Sequence, residues 1–241
     1  RYDTKEFIVM TYTPSEGKIF DENNLLLIKE LKTQLSKIDG IESVLSIIDV
    51  PLVESTEIPL VEMINNVPTL LSENTDIIKA EQEIQNSPIY KNLIISDDGR
   101  TTAFQINIKP NSKLIALTEA KTKFNKKVTD QTITNEEYLL FNDIKNEYAE
   151  LKLLHNENIH NLLIHVRNIQ NSFQKSYGVE LRIGGIPMIA DDMISYVKSD
   201  LINFGLGVFI FIVFTLILIF RKLKWVVLPI LSCIYAVSIM I

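Results

Sequence analysis

The sequence has almost no sulfur chemistry, since Cys233 is the one cysteine among 241 residues. A disulfide within the chain is therefore excluded, and the position of Cys233 inside an apolar run at residues 225–241 favours a packing role. The first 200 residues must then be held together by an apolar core, and a segment of that length can bury one without cross-links.

The sequence also lacks the common motifs of catalysis and metal binding. It contains no Gly-x-Ser-x-Gly elbow, no P-loop and no Cys/His zinc pattern. His155, His160 and His165 are spaced by five residues, about 140° apart on a helix, so they cannot share a face as i, i+4 ligands do. We therefore predict no enzyme activity, no cofactor and no metal site.

Positive charge is in deficit before residue 201. Three of the 24 Lys and Arg residues and none of the 30 Asp and Glu residues lie after residue 200, so the first 200 residues carry a formal net charge of −9. An acidic segment of this kind argues against nucleic acid as a partner and against close contact with anionic lipid headgroups.

A long uncharged stretch stands out from this background. Residues 201–220 read LINFGLGVFIFIVFTLILIF, and about 20 residues of α-helix cover roughly 30 Å, the thickness of a bilayer's hydrocarbon core. A helix buried in a soluble core is the alternative, but such helices are usually shorter and carry a polar stripe. The stretch predicts a membrane-spanning helix.

A basic segment, RKLK at residues 221–224, separates this stretch from the second apolar run. The positive-inside rule places such a segment in the cytoplasm and the residues before 201 outside it. The second run ends without a bordering charge, and the chain begins without Met, so we expect a piece of a longer, multi-pass protein.

Strand and helix patterns alternate before residue 201, which predicts an α+β domain. The strands are expected at residues 6–12, 41–50, 92–95, 102–109 and 179–183, and the helices at 21–37, 75–85, 112–128, 134–174 and from 187 onward. Residues 51–68, with three prolines, predict a loop. Thr134 and Glu137 form a capping box that opens the long helix. Its two apolar stripes do not align, so we expect a bend or break at residues 154–158.

These patterns divide the chain into four parts. We expect an extracytoplasmic domain at residues 1–186, a connecting helix that continues into the membrane at 187–220, a cytoplasmic loop at 221–224 and an incomplete spanning helix at 225–241.

Several segments, in this order, resemble resistance–nodulation–division (RND) exporters of the branch that includes the mycobacterial large-membrane-protein (MMPL-type) lipid exporters and the hopanoid transporters. The early segments are IDGIESV at 38–44, DVPL at 49–52 and DDGRTT at 97–102. The later ones are GGIPMIADDM at 184–193, DLINFG at 200–205 and IFRKLKWVVLP at 219–229. Together they span nearly the whole chain.

The resemblance implies a proton-driven exporter of hydrophobic or amphiphilic molecules in a bacterial inner membrane. Its outer porter domain is built on β-α-β, ferredoxin-like elements with long helices and handles the substrate. The expected partners are the lipid bilayer, an amphiphilic or lipid substrate, the remainder of the same polypeptide with its second porter domain, and, for some members, further copies of the protein. Residues 201–241 contain no acidic residue, so the proton relay lies elsewhere in the protein.

The residues at the domain-to-membrane junction are the candidate functional positions that the resemblance implies: Gly184, Gly185, Pro187, Asp191, Asp192, Gly205 and Arg221. The two aspartates precede the bilayer by one to two helical turns. They either complement the helix dipole or contact substrate at the mouth of a transport path. Gly205 either permits close helix packing or allows flexing.

Other functional classes stay open at this stage. A membrane-anchored module that binds or senses a ligand without transport is the main alternative to an exporter. An accessory of protein secretion or a sterol-sensing relative is a third, although the eukaryotic branch usually carries disulfides in its outer domains. A hydrolase is the weakest, because no nucleophile and base can be paired.

Overall fold

The computed structural model describes residues 6–53, 55, 67–72, 75–91, 93–220, 231–232, 235 and 238–239. Most of the predicted proline-containing loop, the basic segment with Arg221, and most of the second apolar run lie outside the described residues. The chain divides into two compact units between Asp191 and Asp192.

The first unit contains a four-stranded antiparallel sheet. Its strands are β1 (Phe7–Thr13), β2 (Ile41–Leu45), β3 (Thr102–Ile108) and β4 (Glu180–Gly184), in the order β2-β3-β1-β4. Every neighbouring pair is antiparallel, so β1 runs parallel to β2 across β3, and β3 runs parallel to β4 across β1. Two interleaved, split β-α-β units of this kind make the ferredoxin-like topology. The predicted α+β class is confirmed.

Five α-helices accompany the sheet in the described part of the chain: α1 (Glu22–Ser36), α2 (Ile77–Asn86), α3 (Ser112–Thr129), α4 (Asn135–Tyr177) and α5 (Ile186–Phe220). A 3₁₀ turn, Ile47–Asp49, follows β2. Helices α1 and α4 provide the two crossovers of the split units, and α3 precedes α4 in the second crossover.

The core lies on one face of the sheet. Alternate residues of β1 and β3 point into it, because successive side chains of a strand lie on opposite faces of the sheet. One stripe of α1 and the second half of α4 pack against this face. The core side chains of these four elements are Ile8, Met10 and Tyr12 of β1, Phe104, Ile106 and Ile108 of β3, Leu25, Ile28, Leu31 and Leu35 of α1, and Ile159, Leu162, Leu163, Val166 and Phe173 of α4.

Tyr12 places a hydroxyl inside this core. The hydroxyl donates a hydrogen bond to Oδ1 of Asn24 at 3.2 Å, and the amide of Asn24 donates to the carbonyl oxygens of Glu16 and Lys18. Burial raises the pKa of Tyr12 to about 12, because the charged phenolate would be poorly solvated there. The network ties β1 to the loop that precedes α1.

A bend or a break was predicted at residues 154–158, and the structure shows no break there. Helix α4 is continuous over Asn135–Tyr177, about 65 Å at 1.5 Å per residue, with the predicted Thr134–Glu137 capping box at its start. Gly178 ends it in the left-handed conformation, with φ of 68°. The two stripes do not align because they face different partners: the first faces α3 and the second faces the sheet.

Two other element boundaries and one helix cap differ from prediction. Strand β2 ends at Leu45 rather than Val50, because Ser46 and Asp49 form a capping box around the 3₁₀ turn. The predicted strand before the turn at 96–99 is reduced, in the described residues, to two isolated bridges of Ile95, one with Lys91 and one with Thr102. Asp21 occupies the N-cap of α1 without capping it, because its side chain accepts from the backbone nitrogen of Lys18 instead.

The end of β4 requires glycine at one of two adjacent positions. Gly185 has φ of 130°, and a Cβ added to it would lie 3.0 Å from the carbonyl oxygen of Phe7 and 3.3 Å from Cα of Ile8. Gly184 is the last residue of β4, and an added Cβ there meets nothing within 4 Å.

We predict that Gly185→Ala lowers the free energy of unfolding by more than about 1 kcal/mol, because alanine is strained at positive φ and contacts β1. Gly184→Ala should stay within about 0.5 kcal/mol of the wild type. Thermal unfolding of the full-length protein checks both variants. Equal melting temperatures for the two variants would contradict this account of the junction.

Candidate ligand-binding cleft

A cleft of about 930 Å³ opens in the first unit at one end of the sheet. It lies where α1 passes into β2, where β3 passes into α3, and where the middle of α4 crosses both connections. Three segments that are distant in sequence therefore form one concavity, and its volume is within the range of small-molecule sites.

The floor of the cleft is apolar. It is formed by Ile38, Ile108, Ile159, Leu162 and Ile169, which are buried or half-buried. The floor is pinned by the backbone, because the nitrogen of Lys109 donates to the carbonyl oxygen of Gly40 at 2.8 Å. A Cβ added to Gly40 would lie 3.0 Å from Cδ1 of Leu162, so α4 packs closely on this turn.

The rim of the cleft is polar and contains both lysine and amide groups. Lys37 follows α1, Lys109 follows β3, and Asn158 and Asn161 belong to α4. Within the described part of the chain, neither lysine ammonium has an ion-pair partner. Asp39 is the one acidic side chain of the lining.

The three histidines of α4 have separate partners. His155 lies 3.2 Å from a carboxylate oxygen of Glu6, and Nδ1 of His165 lies 2.7 Å from the carbonyl oxygen of Asn161. Both of these histidines line the cleft. His160 lies elsewhere, with Nδ1 2.8 Å from Oδ1 of Asp191. Among the residues that the structure describes, no three His, Cys, Asp or Glu side chains converge on a common point.

A helical hairpin of α3 and the first half of α4 begins and ends at the cleft. Its seam holds Phe124 and Phe141, whose ring centroids are 6.0 Å apart, and the ammonium of Lys121 lies 3.9 Å from the ring centre of Tyr148. Lys113 and Glu147 form an ion pair at 2.8 Å. Among the described residues α3 has no buried side chain, so the hairpin is held by a narrow seam.

An ion pair also stabilises the seam, at the end of the hairpin that is farthest from the cleft. Lys127 forms an ion pair with Glu137, the residue that completes the capping box of α4. The hydrogen bond from Lys127 and the backbone hydrogen bond from Thr134 hold the pKa of Glu137 below its usual range. The carboxylate therefore stabilises both the start of α4 and its pairing with α3.

The junction residues singled out from the sequence do not line this cleft. Gly184 pairs with Val9 at the end of β4, and Pro187 lies in the first turn of α5, where its missing N–H costs no hydrogen bond. Asp191 pairs with His160, which ties α5's first turns to α4 within the first unit. Asp192 and Gly205 lie further along α5, and a Cβ added to Gly205 meets nothing within 4 Å.

Sequence reasoning missed the cleft residues. Lys37, Lys109 and Asn158 stand in no motif, and each is an ordinary polar residue at the end or on the surface of its element. Their proximity depends on β3 lying between β1 and β2, an order that no local pattern encodes.

No protein-family model matches the chain, and no curated protein was found to be similar to it. The resemblance to RND exporters therefore rests on the short segments themselves and remains a hypothesis.

The hairpin yields a prediction, because Phe141 is 6% exposed whereas its neighbour Leu139 is 68% exposed. Phe141→Ala should cost about 3 kcal/mol in hairpin stability by leaving a cavity in the seam, and Leu139→Ala should cost less than about 0.5 kcal/mol. Hydrogen exchange of residues 112–150 measures the loss, with the amides of β1 as the internal reference. Equal loss of protection in both variants would contradict the assigned seam.

Proposed function

We propose that this chain is the outer porter domain and adjoining membrane helix of a proton-driven, RND-type exporter of hydrophobic or amphiphilic molecules. In this proposal the residues before 201 lie outside the inner membrane of a bacterium and residues 221–224 lie in the cytoplasm. The first unit handles the substrate, and later parts of the polypeptide supply the proton relay.

The observation that carries the proposal is the order of elements at the end of the first unit. A ferredoxin-like domain made of two split β-α-β units ends in β4, and only Gly185 separates β4 from the 35-residue helix α5. The same order, β-α-β elements followed directly by a spanning helix, is what the sequence resemblance implies.

The surface of α5 supports a membrane location. Over Ile186–Ile219 the helix is long and apolar enough to cross a bilayer, and none of its most apolar stretch is buried. Large apolar side chains are exposed around it, among them Leu201, Phe209, Ile210 and Phe211, which point in four different directions. Apolar surface on all sides of a helix is stable in lipid or against other apolar helices, but not in water.

A membrane-anchored binding module is the second candidate, and the cleft favours it. A concave site with an apolar floor and a polar rim is sufficient to bind a ligand, and binding by itself does not require transport. The two candidates differ in whether ligand movement is coupled to a proton gradient.

The proposed orientation predicts which sites are accessible from outside. In a cysteine-free version of the full-length protein, K123C on the exposed side of α3 should react with a membrane-impermeant maleimide in intact spheroplasts. K222C should react after lysis and not before, because the positive-inside rule places it in the cytoplasm. Labelling of K222C before lysis, or of K123C after lysis alone, would reverse the assignment.

The transport proposal is tested with full-length protein in liposomes that contain a trapped pH-sensitive dye. The lipophilic probe N-phenyl-1-naphthylamine should stimulate proton flux, and an imposed pH gradient should drive probe movement that a protonophore abolishes. Protein-free liposomes are the control. Proton flux that is the same with and without the probe would reject this exporter proposal and favour the binding module.

A further inference from the structure

We propose that the cleft of the first unit binds a single-chain amphiphile with a carboxylate or phosphate headgroup. The headgroup is held by Lys37 and Lys109 and the chain lies on the isoleucine floor. The biological role of this ligand rests on the proposed function, since an exporter would carry it as substrate, but the binding site itself is argued from the cleft.

The charge of the rim selects an anion. Lys37 and Lys109 are exposed, and neither has an ion-pair partner in the described residues, whereas Asp39 is the single acidic residue of the lining. The lining is thus net positive by one charge, although residues 1–200 carry −9. Ammonium groups that are free of internal partners are available for charge-assisted hydrogen bonds to a carboxylate or phosphate.

The amino end of α3 adds to the positive potential at the cleft. Ser112, its first residue, lines the cleft, and Asn111 caps the helix by accepting from the backbone nitrogen of Leu114. The amino end of a helix carries a partial positive charge, which favours an anion nearby.

The shape and polarity of the floor determine which kind of apolar tail the ligand carries. The part of α4 that lines the cleft runs from His155 to Ile169, about 21 Å along the helix axis. Ile38, Ile159 and Ile169 supply apolar surface on the cleft. An extended alkyl chain that lies along α4 can cover the half-buried side chains of Ile38 and Ile169 between the polar side chains of the lining, and burial of its methylenes favours binding.

The two lysines and the apolar floor together argue against a ligand that has only a charge or only an alkyl chain. A free anion such as inorganic phosphate would leave the half-buried side chains of Ile38 and Ile169 uncovered. A neutral lipid such as a monoacylglycerol would place an uncharged headgroup beside two unpaired lysines. The headgroup charge and the chain are therefore both required for full affinity.

Photolabelling of the full-length protein in liposomes tests this site. The probes are a diazirine analogue of palmitic acid, the matching analogue of lysophosphatidic acid and the matching monoacylglycerol, and labelled peptides are mapped by mass spectrometry. At least one anionic probe should label residues 34–40 or 155–169, and the monoacylglycerol should label them at least about fivefold less. Which anionic probe labels them distinguishes a free fatty acid from a phospholipid product.

A pair of double variants provides the matched control. K37Q/K109Q should reduce labelling of the cleft peptides by at least about fivefold, because it removes both charges and keeps side-chain length. K29Q/K126Q, which removes two exposed lysines outside the cleft, should label as the wild type does. Unchanged melting temperatures confirm that both variants fold.

The proposal is overturned if no anionic probe labels the cleft, if the monoacylglycerol labels it equally, or if K37Q/K109Q labels as the wild type. Its failure is distinguishable from that of the exporter proposal. Charge-dependent labelling without proton-coupled transport would keep the cleft and reject the exporter. Proton-coupled transport by a protein that is not labelled at the cleft would support the exporter and reject the cleft as the binding site.

Discussion

The packing of the second half of α4 against the sheet is the contact on which the rest of the first unit depends. Three residues of this half, Leu162, Leu163 and Val166, are buried against the same face of the sheet as α1. They hold the second half of α4 on that face. Once these residues are fixed, the backbone hydrogen bonds of an unbroken helix dictate where its first half goes. That half leaves the sheet and, within the described part of the chain, packs against α3.

The cleft follows from this division of α4 between two partners. Strand β3 ends at Ile108, and the chain then leaves the sheet for the hairpin, so none of the described residues fills the space between the end of α1 and the middle of α4. The floor is made of apolar residues at one end of the sheet and on α4, and the rim combines residues that follow α1 and β3 with polar residues in the middle of α4. Polar residues such as Lys37 and Asn111 occur at such ends because they satisfy terminal backbone groups or complement the helix dipole.

Much of the local structure was predictable, because it depends on neighbours in sequence. The alternation of Phe104 to Ile108, the Thr134–Glu137 capping box and the stop at Gly178 each follow from a pattern of a few residues. The errors occurred where a local pattern had two interpretations. The offset between the stripes of α4 suggested a break, but a continuous helix with two partners satisfies the same pattern. Ser46 and Asp49 ended β2 early through hydrogen bonds that compete with the sheet.

The sequence by itself determined the class of the domain, the positions of most helices and strands, and the apolar helix that follows them, since periodicity and charge are local properties. The tertiary structure alone decided the strand order β2-β3-β1-β4 and, with it, the cleft. Strand order is set by which apolar faces bury each other across long sequence separations. Lys37, Lys109 and Asn158 therefore become neighbours only when β3 enters between β1 and β2 and α4 packs across them.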